Sequence, residues 1–231
     1  MKKPKKMPKN DLMDGIDSTL PDLAALAPEV VGDNLPIRDK FGMETCVFSA
    51  RVTSGKVITF DARKVKIAAL TIGQLPTENE SVHMVCGGEF CGFDLIPAIL
   101  TLSGAQQFGR MYLSTLGFSK ENLAQFATMF RARQIQPKLL KVLCGDFFRR
   151  ADAGIWADGR LLAKEWGFEF KSFRNHTKLI LAEVGGAKYV VESSANLRSC
   201  HNIELFTLRR SAELFDFHAG WLESCLKFAK E

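Results

Sequence analysis

At 231 residues, 46% hydrophobic and 25% charged, the chain has the size and make-up of one sizeable globular domain, or at most two small ones. No apolar run reaches the roughly 18 residues of a membrane span, and the lysine-rich start MKKPKKMPKN leads into polar sequence rather than an apolar signal core. The first ten residues hold five lysines and no acid, and the other 26 basic residues match 26 acids, which excludes a globally basic nucleic-acid binder.

Residues 1–40 read as a flexible basic leader, interrupted by Pro21, Pro28 and Pro36, with LPDLAALAPEVV as a possible short helix. The folded domain is expected over 41–231. CVFSARV and KVITFDA predict two strands around a Thr53-Ser54-Gly55 turn, and KVKIAALTIG a third strand or the lead into one. SVHMVCGG is a short apolar run closed by glycines. FDLIPAILTLSG reads as a helix ending at Gly104, and RMYLSTLGF as a strand. SKENLAQFATMFRARQI predicts a helix with Ser119 as N-cap and Asn122 at the third position.

PKLLKVLCGDFF is the next strand, followed by a helix over about 151–166. EFKSFRNHTKLILAEV and KYVVESSANL predict two strands joined by Gly185-Gly186, a two-residue hairpin signal. SAELFDFHAGWLESCLKFAKE is a final helix. Strands alternating with helices imply an α/β fold with a mixed sheet covered on both faces. No internal repeat occurs.

Six cysteines (Cys46, Cys86, Cys91, Cys144, Cys200 and Cys225) show no CxxC spacing and read as reduced thiols, consistent with a cytoplasmic location. His83, Cys86 and Cys91 fit no closed tetrahedral zinc site and lack a fourth ligand. GGEFCGF has glycines without the order of a phosphate-binding P-loop. Phe147, Phe148, Arg149 and Arg150 offer either an aromatic-basic nucleic-acid contact or a strand end entering a solvated loop. His83 and His218 read as structural, and His201 as a residue between the two roles.

One region differs in kind. On two paired strands, His176 and Lys178 share a face, as do Ser194 and Asn196, because side chains alternate along a strand. An imidazole and an ammonium beside the apolar run Leu179-Ile180-Leu181 need an anionic partner to offset their desolvation.

His176-Thr177-Lys178, the acid Glu183 and Ser193-Ser194-Ala195-Asn196 resemble the HKD motif of the phospholipase D superfamily, and His201-Asn202-Ile203-Glu204 resembles its downstream Asn-x-Glu segment. The match covers about thirty residues, and the chain is also similar to phage and bacterial phospholipase-D-like proteins with a single motif. Two positions depart from the pattern: Glu183 stands where the family has Asp, and Ser193 where it has Gly.

The resemblance implies a phospholipase-D-like single half-domain and a metal-independent phosphodiesterase, of the kind that acts as a nuclease on DNA or RNA. His176 would be the nucleophile, Lys178, Asn196 and Ser194 the phosphate ligands, and Glu204 the acceptor fixing the His176 tautomer. No cofactor or metal is implied. A single motif further implies a homodimer, in which a second copy of His176 completes the site. A catalytically degenerate nucleic-acid-binding module is the alternative, and phospholipid hydrolysis is disfavoured for want of a membrane-facing amphipathic segment.

Overall fold

A computed structural model describes residues 36–38, 44–46, 62–198 and 202–230. The expectations for residues 1–35 and for the strands and turn over 47–61 lie outside the described residues. Two three-residue strands, β1 (Pro36–Arg38) and β2 (Glu44–Cys46), pair antiparallel across the expected domain boundary near residue 40.

The stretch containing KVKIAALTIG is a helix, α1 (Ala62–Ile72), not a strand. Its alternating Lys64 and Lys66 suggest a strand, but the buried pair Ala68 and Ile72 and the half-buried pair Val65 and Ala69 each recur at the four-residue spacing of a helix. The remaining elements follow in order: β3 (Ser81–Cys86), α2 (Leu95–Ser103), β4 (Phe108–Thr115), α3 (Lys120–Arg131), β5 (Leu140–Gly145), α4 (Asp146–Ala151), α5 (Ala153–Trp166), β6 (Glu169–Phe173), β7 (Leu179–Val184), β8 (Ala187–Ser193), β9 (Glu204–Arg210) and α6 (Ala212–Phe228).

Seven strands form one mixed sheet in the order β3-β9-β8-β7-β4-β5-β6. The run from β3 to β4 is antiparallel, whereas β4, β5 and β6 are parallel and are linked through helices, as parallel neighbours must be. The sheet is covered on both faces, as the alternating pattern predicts. Met111 and Leu113 of β4 join Ile180, Ala182 and Val191 in a core shared with α1, α2, α3 and α5. Tyr112, Leu181 and Val190, the intervening residues, pack on the other face with Phe215, Ala219, Leu222 and Leu226 of α6.

The local signals that hold are those with a specific chemistry. Ser119 Oγ accepts from Asn122 N and Asn122 Oδ1 accepts from Ser119 N, a reciprocal cap that starts α3. Gly185 and Gly186 both take positive φ, as a two-residue turn with strand-compatible twist requires, and Val184 pairs with Ala187 across it.

Two further expectations are corrected. The predicted strand over 169–184 is two strands on opposite sides of the β4–β5 pair: β6 lies at the sheet edge against β5, and β7 lies between β4 and β8. Arg174 to Lys178 is the connection between them. Residues 146–151, expected as a strand end and loop, form α4, with Asp146 in its first turn and Arg149 and Arg150 in its last. Phe148 is buried in the core, so it takes no part in an aromatic-basic surface.

Candidate phosphodiester site

The sheet order gathers the candidate residues at one end of the central strands. β7 begins where β8 ends, so Ser193 N donates to Lys178 O at 3.2 Å. β9 begins beside the same end of β8, and Ser194 N donates to Leu205 O at 3.0 Å. The connection before β7, the segment after β8 and the start of β9 therefore meet, with α6 behind them.

Between them lies an open cleft of about 610 Å³, lined by His176, Thr177, Lys178, Leu179, Glu192, Ser193, Ser194, His218 and Trp221. His176 is exposed and Lys178 half-buried. Lys178 Nζ lies 3.1 Å from His176 Nδ1 and donates to His176 O at 2.6 Å. The two side chains do meet, but through a loop and not through strand alternation.

What fixes that loop is Asn175, a residue the sequence pattern did not single out. Its Oδ1 accepts from Thr177 N at 3.0 Å and Thr177 Oγ1 at 2.7 Å, an Asx turn that bends the chain through His176. Its Nδ2 faces Ser114 Oγ at 2.9 Å and the carbonyls of Leu143 and Thr115 at 3.2 and 3.4 Å, which ties the loop to the ends of β4 and β5. Thr177 Oγ1 also lies 2.6 Å from Ser114 Oγ. The readable signal was an Asn two residues before Thr at a break in the apolar pattern.

Across the cleft, Ser194 and Asn196 diverge. Both lie past the end of β8, so the shared-face expectation does not apply to them. Ser194 Oγ donates to Glu204 Oε2 and accepts from Leu205 N at 3.0 Å. Asn196 does not line the cleft. Its Oδ1 accepts from Leu116 N at 3.1 Å, capping the exit of β4, while neighbouring Ala195 and Leu197 are buried. Among the described residues no hydrogen bond joins Glu204 to His176. The carboxylate is turned to Ser194, while its charge acts on Lys178.

Burial pushes the Lys178 ammonium below the ordinary lysine range, and Glu204 partly pulls it back. A half-buried cation held this way favours an incoming anion, which would supply the counter-charge that solvent no longer provides. Glu183 stands away from the cleft, at the other end of β7, where it pairs with Arg110 Nε at 2.9 Å. Ser193 Oγ donates to Ala195 O at 2.9 Å, closing the turn after β8.

His201 lies outside the described residues. His83 sits on edge strand β3, with its ring nitrogens near Ser81 Oγ and Thr207 Oγ1. His218, expected to be structural, is buried as such a residue should be, yet forms part of the cleft wall. Cys86, Cys91, Cys144 and Cys225 are free thiols. Among the described residues no helix is long and apolar enough to cross a membrane, and no group of three or more His, Cys, Asp and Glu side chains is placed to hold a metal ion.

No family model and no curated protein matches the sequence. Among solved structures, the chain is similar to Nuc, a phospholipase D family member from Salmonella typhimurium, at 14% identity and a TM-score of 0.46, over 65% of this chain and 97% of that one. It is also similar to TrmBL2, an archaeal chromatin protein described as showing a novel mode of DNA binding, at 16% identity and a TM-score of 0.39, over 64% of this chain and 53% of that one.

Proposed function

We propose that the chain is a metal-independent phosphodiesterase of phospholipase D type, acting as a nuclease on DNA or RNA through a phosphohistidine at His176. The observation that carries this reading is the approach of Lys178 Nζ to His176 Nδ1, 3.1 Å apart in an open cleft with Ser194 on the facing wall. A non-bridging phosphoryl oxygen competes for the same ammonium and frees the imidazole lone pair for attack.

The nitrogen–phosphorus bond forms as the bond to the leaving oxygen breaks, and that oxygen takes a proton from a second imidazole. Water, giving its proton to that same second imidazole, then attacks phosphorus; the nitrogen–phosphorus bond breaks, a phosphate monoester is released and both histidines return to their starting states. Lys178 stabilises the charge that gathers on the non-bridging oxygens in both steps. Glu204 orients Ser194 and supports the charge of Lys178. Asn196 acts from outside the cleft, by fixing the segment that carries Ser194.

The second imidazole is His176 of a second copy of the chain, in a homodimer. Ile203 and Leu205 on either side of Glu204, with Val85 paired to Leu205 on edge strand β3, are 77%, 59% and 68% exposed and supply an apolar border beside the cleft on which such a copy can seat. The lysine-rich segment Lys2–Lys9 adds sequence-independent phosphate affinity. A reducing, cytoplasmic setting suits the free thiols. The test is cleavage of a nucleic acid or of bis(p-nitrophenyl) phosphate in EDTA. The parent protein turns over and His176→Ala does not; equal turnover by the variant would end the proposal.

A second reading, a catalytically degenerate nucleic-acid-binding module, is favoured by Ser193, a residue of the cleft wall that stands where the motif has glycine. It predicts salt-dependent binding without turnover, and activity gained in Ser193→Gly.

A further inference from the structure

The wall of the cleft contributed by α6 differs from the rest. Trp221 is half-buried: it packs against the core beneath α6 and also lines the cleft. Its Nε1 donates to His218 Nδ1 at 2.9 Å. An indole nitrogen only donates, so His218 Nδ1 carries no proton and the neutral ring is protonated at Nε2. That atom has no exposed surface and lies 3.5 Å from Glu192 Oε1, without a hydrogen bond to it.

His218 Nδ1 is thus taken up by the indole, and Nε2 has no surface open to the cleft, so the ring is not placed to deliver a proton to a substrate there. What His218 does instead is hold the indole in one orientation. Phe217, one residue before His218, is 65% exposed, and its ring centroid is 5.1 Å from that of His218. It stands four residues before Trp221, which places the two aromatic side chains on the same side of α6. An exposed phenylalanine beside a fixed indole, in and next to a cleft that also holds His176 and Lys178, has the two parts of a single-strand site: a cation for the backbone and ring faces for bases.

We propose that Trp221 is a base-stacking platform, and that the substrate class of this cleft is single-stranded nucleic acid, with the base next to the bound phosphate lying on the indole. The inference rests on the phosphate-binding reading of His176 and Lys178, but it does not require that the site be catalytic. A base inside a duplex is covered on both faces and cannot reach the ring, so duplexes are excluded from this contact.

The test compares a fluorescein-labelled oligothymidylate with an abasic oligomer of equal length, by anisotropy, on full-length protein carrying His176→Ala so that the probe survives. The expected preference for the base-bearing strand is about tenfold, near what one base–aromatic stack contributes. Trp221→Leu abolishes it, Trp221→Phe keeps most of it, and a duplex shows no dependence on Trp221. An undiminished preference in Trp221→Leu, or no preference in the parent, overturns the platform.

If Trp221→Leu fails to fold, the indole reports directly in protein carrying Trp156→Phe and Trp166→Phe. Quenching by oligothymidylate but not by the abasic oligomer supports the contact, and equal signals refute it. Strand cleavage that persists without base preference would leave the phosphodiesterase standing and remove the platform. Base-dependent binding without cleavage would do the reverse.

Discussion

Replacing Asn175 by alanine should loosen the cleft and the fold together, because one amide holds the loop that presents His176 and Lys178. The change removes the acceptor for Thr177 N and Oγ1 and the donor facing Ser114 Oγ and the Leu143 and Thr115 carbonyls. A hydrogen bond of this kind contributes about 0.5–1.5 kcal/mol net, and a buried group left without a partner costs about 1–3 kcal/mol. The Thr177 groups are exposed and can turn to water, so the loss is about 2–4 kcal/mol and comes mostly from the Nδ2 side.

For a chain of this size that lowers the melting midpoint by about 5–15 °C, read by circular dichroism. Asn175→Asp keeps the Oδ1 contacts but sets an acceptor against three oxygens, so it should not rescue. Turnover of bis(p-nitrophenyl) phosphate, measured well below both midpoints, should fall by about 10²-fold as the loop drifts by an ångström. A midpoint within about 1 °C of the parent, on the same scale, would refute this account of the loop.

Ser119→Ala removes one half of the reciprocal cap on α3 and should cost about 1 kcal/mol, seen as a small shift of the urea midpoint at constant slope. At Gly145 an added Cβ would lie 2.9 Å from Asn175 O and 2.8 Å from Leu116 Cδ1, so Gly145→Ala should destabilise by about 1–3 kcal/mol and displace the same loop; a neutral melting curve would contradict this. Glu204→Gln removes the charge that partly restores Lys178, so the alkaline limb of the pH–rate profile should move to lower pH. The same shift has a stability sign. Because burial lowers the folded pKa of Lys178, the unfolded chain binds more protons between the two pKa values, and stability rises with pH through that window. Lys178→Met should flatten the rise in alkaline urea titrations.

Periodicity and turn chemistry carried most of the architecture. Ser119, Gly104 and the Gly185-Gly186 pair mark ends that depend on local geometry alone, and those ends lie where the residues indicate. The misreadings arise where the decisive partner is remote. EFKSFRNHTKLILAEV is apolar enough to read as one strand, but β6 and β7 pair with different neighbours, and Arg174 to Lys178 must cross between them. In KVKIAALTIG the alternating Lys64 and Lys66 obscure the four-residue spacing of Val65 with Ala69 and Ala68 with Ile72, which carries the helix.

At the candidate site, imidazole and ammonium drew notice because their desolvation beside an apolar strand calls for an anionic partner, and His176, Lys178 and Ser194 do line one cleft. Their supports were not legible. Asn175 acts through Ser114 and Leu143, distant in sequence, and Glu204 turns to Ser194 and not to His176. The approach of Glu192 on β8 to the His218–Trp221 pair on α6 leaves no trace in either segment alone.

The central claim is tested most directly by trapping the covalent intermediate. Protein mixed with a labelled single-stranded oligonucleotide in EDTA is quenched in alkali, where a phosphohistidine survives, and digested for mass spectrometry. The account predicts a nucleotide adduct on the peptide carrying His176, lost on brief acid treatment and absent from His176→Ala. Cleavage of the strand with no adduct at His176, and undiminished in His176→Ala, would contradict it.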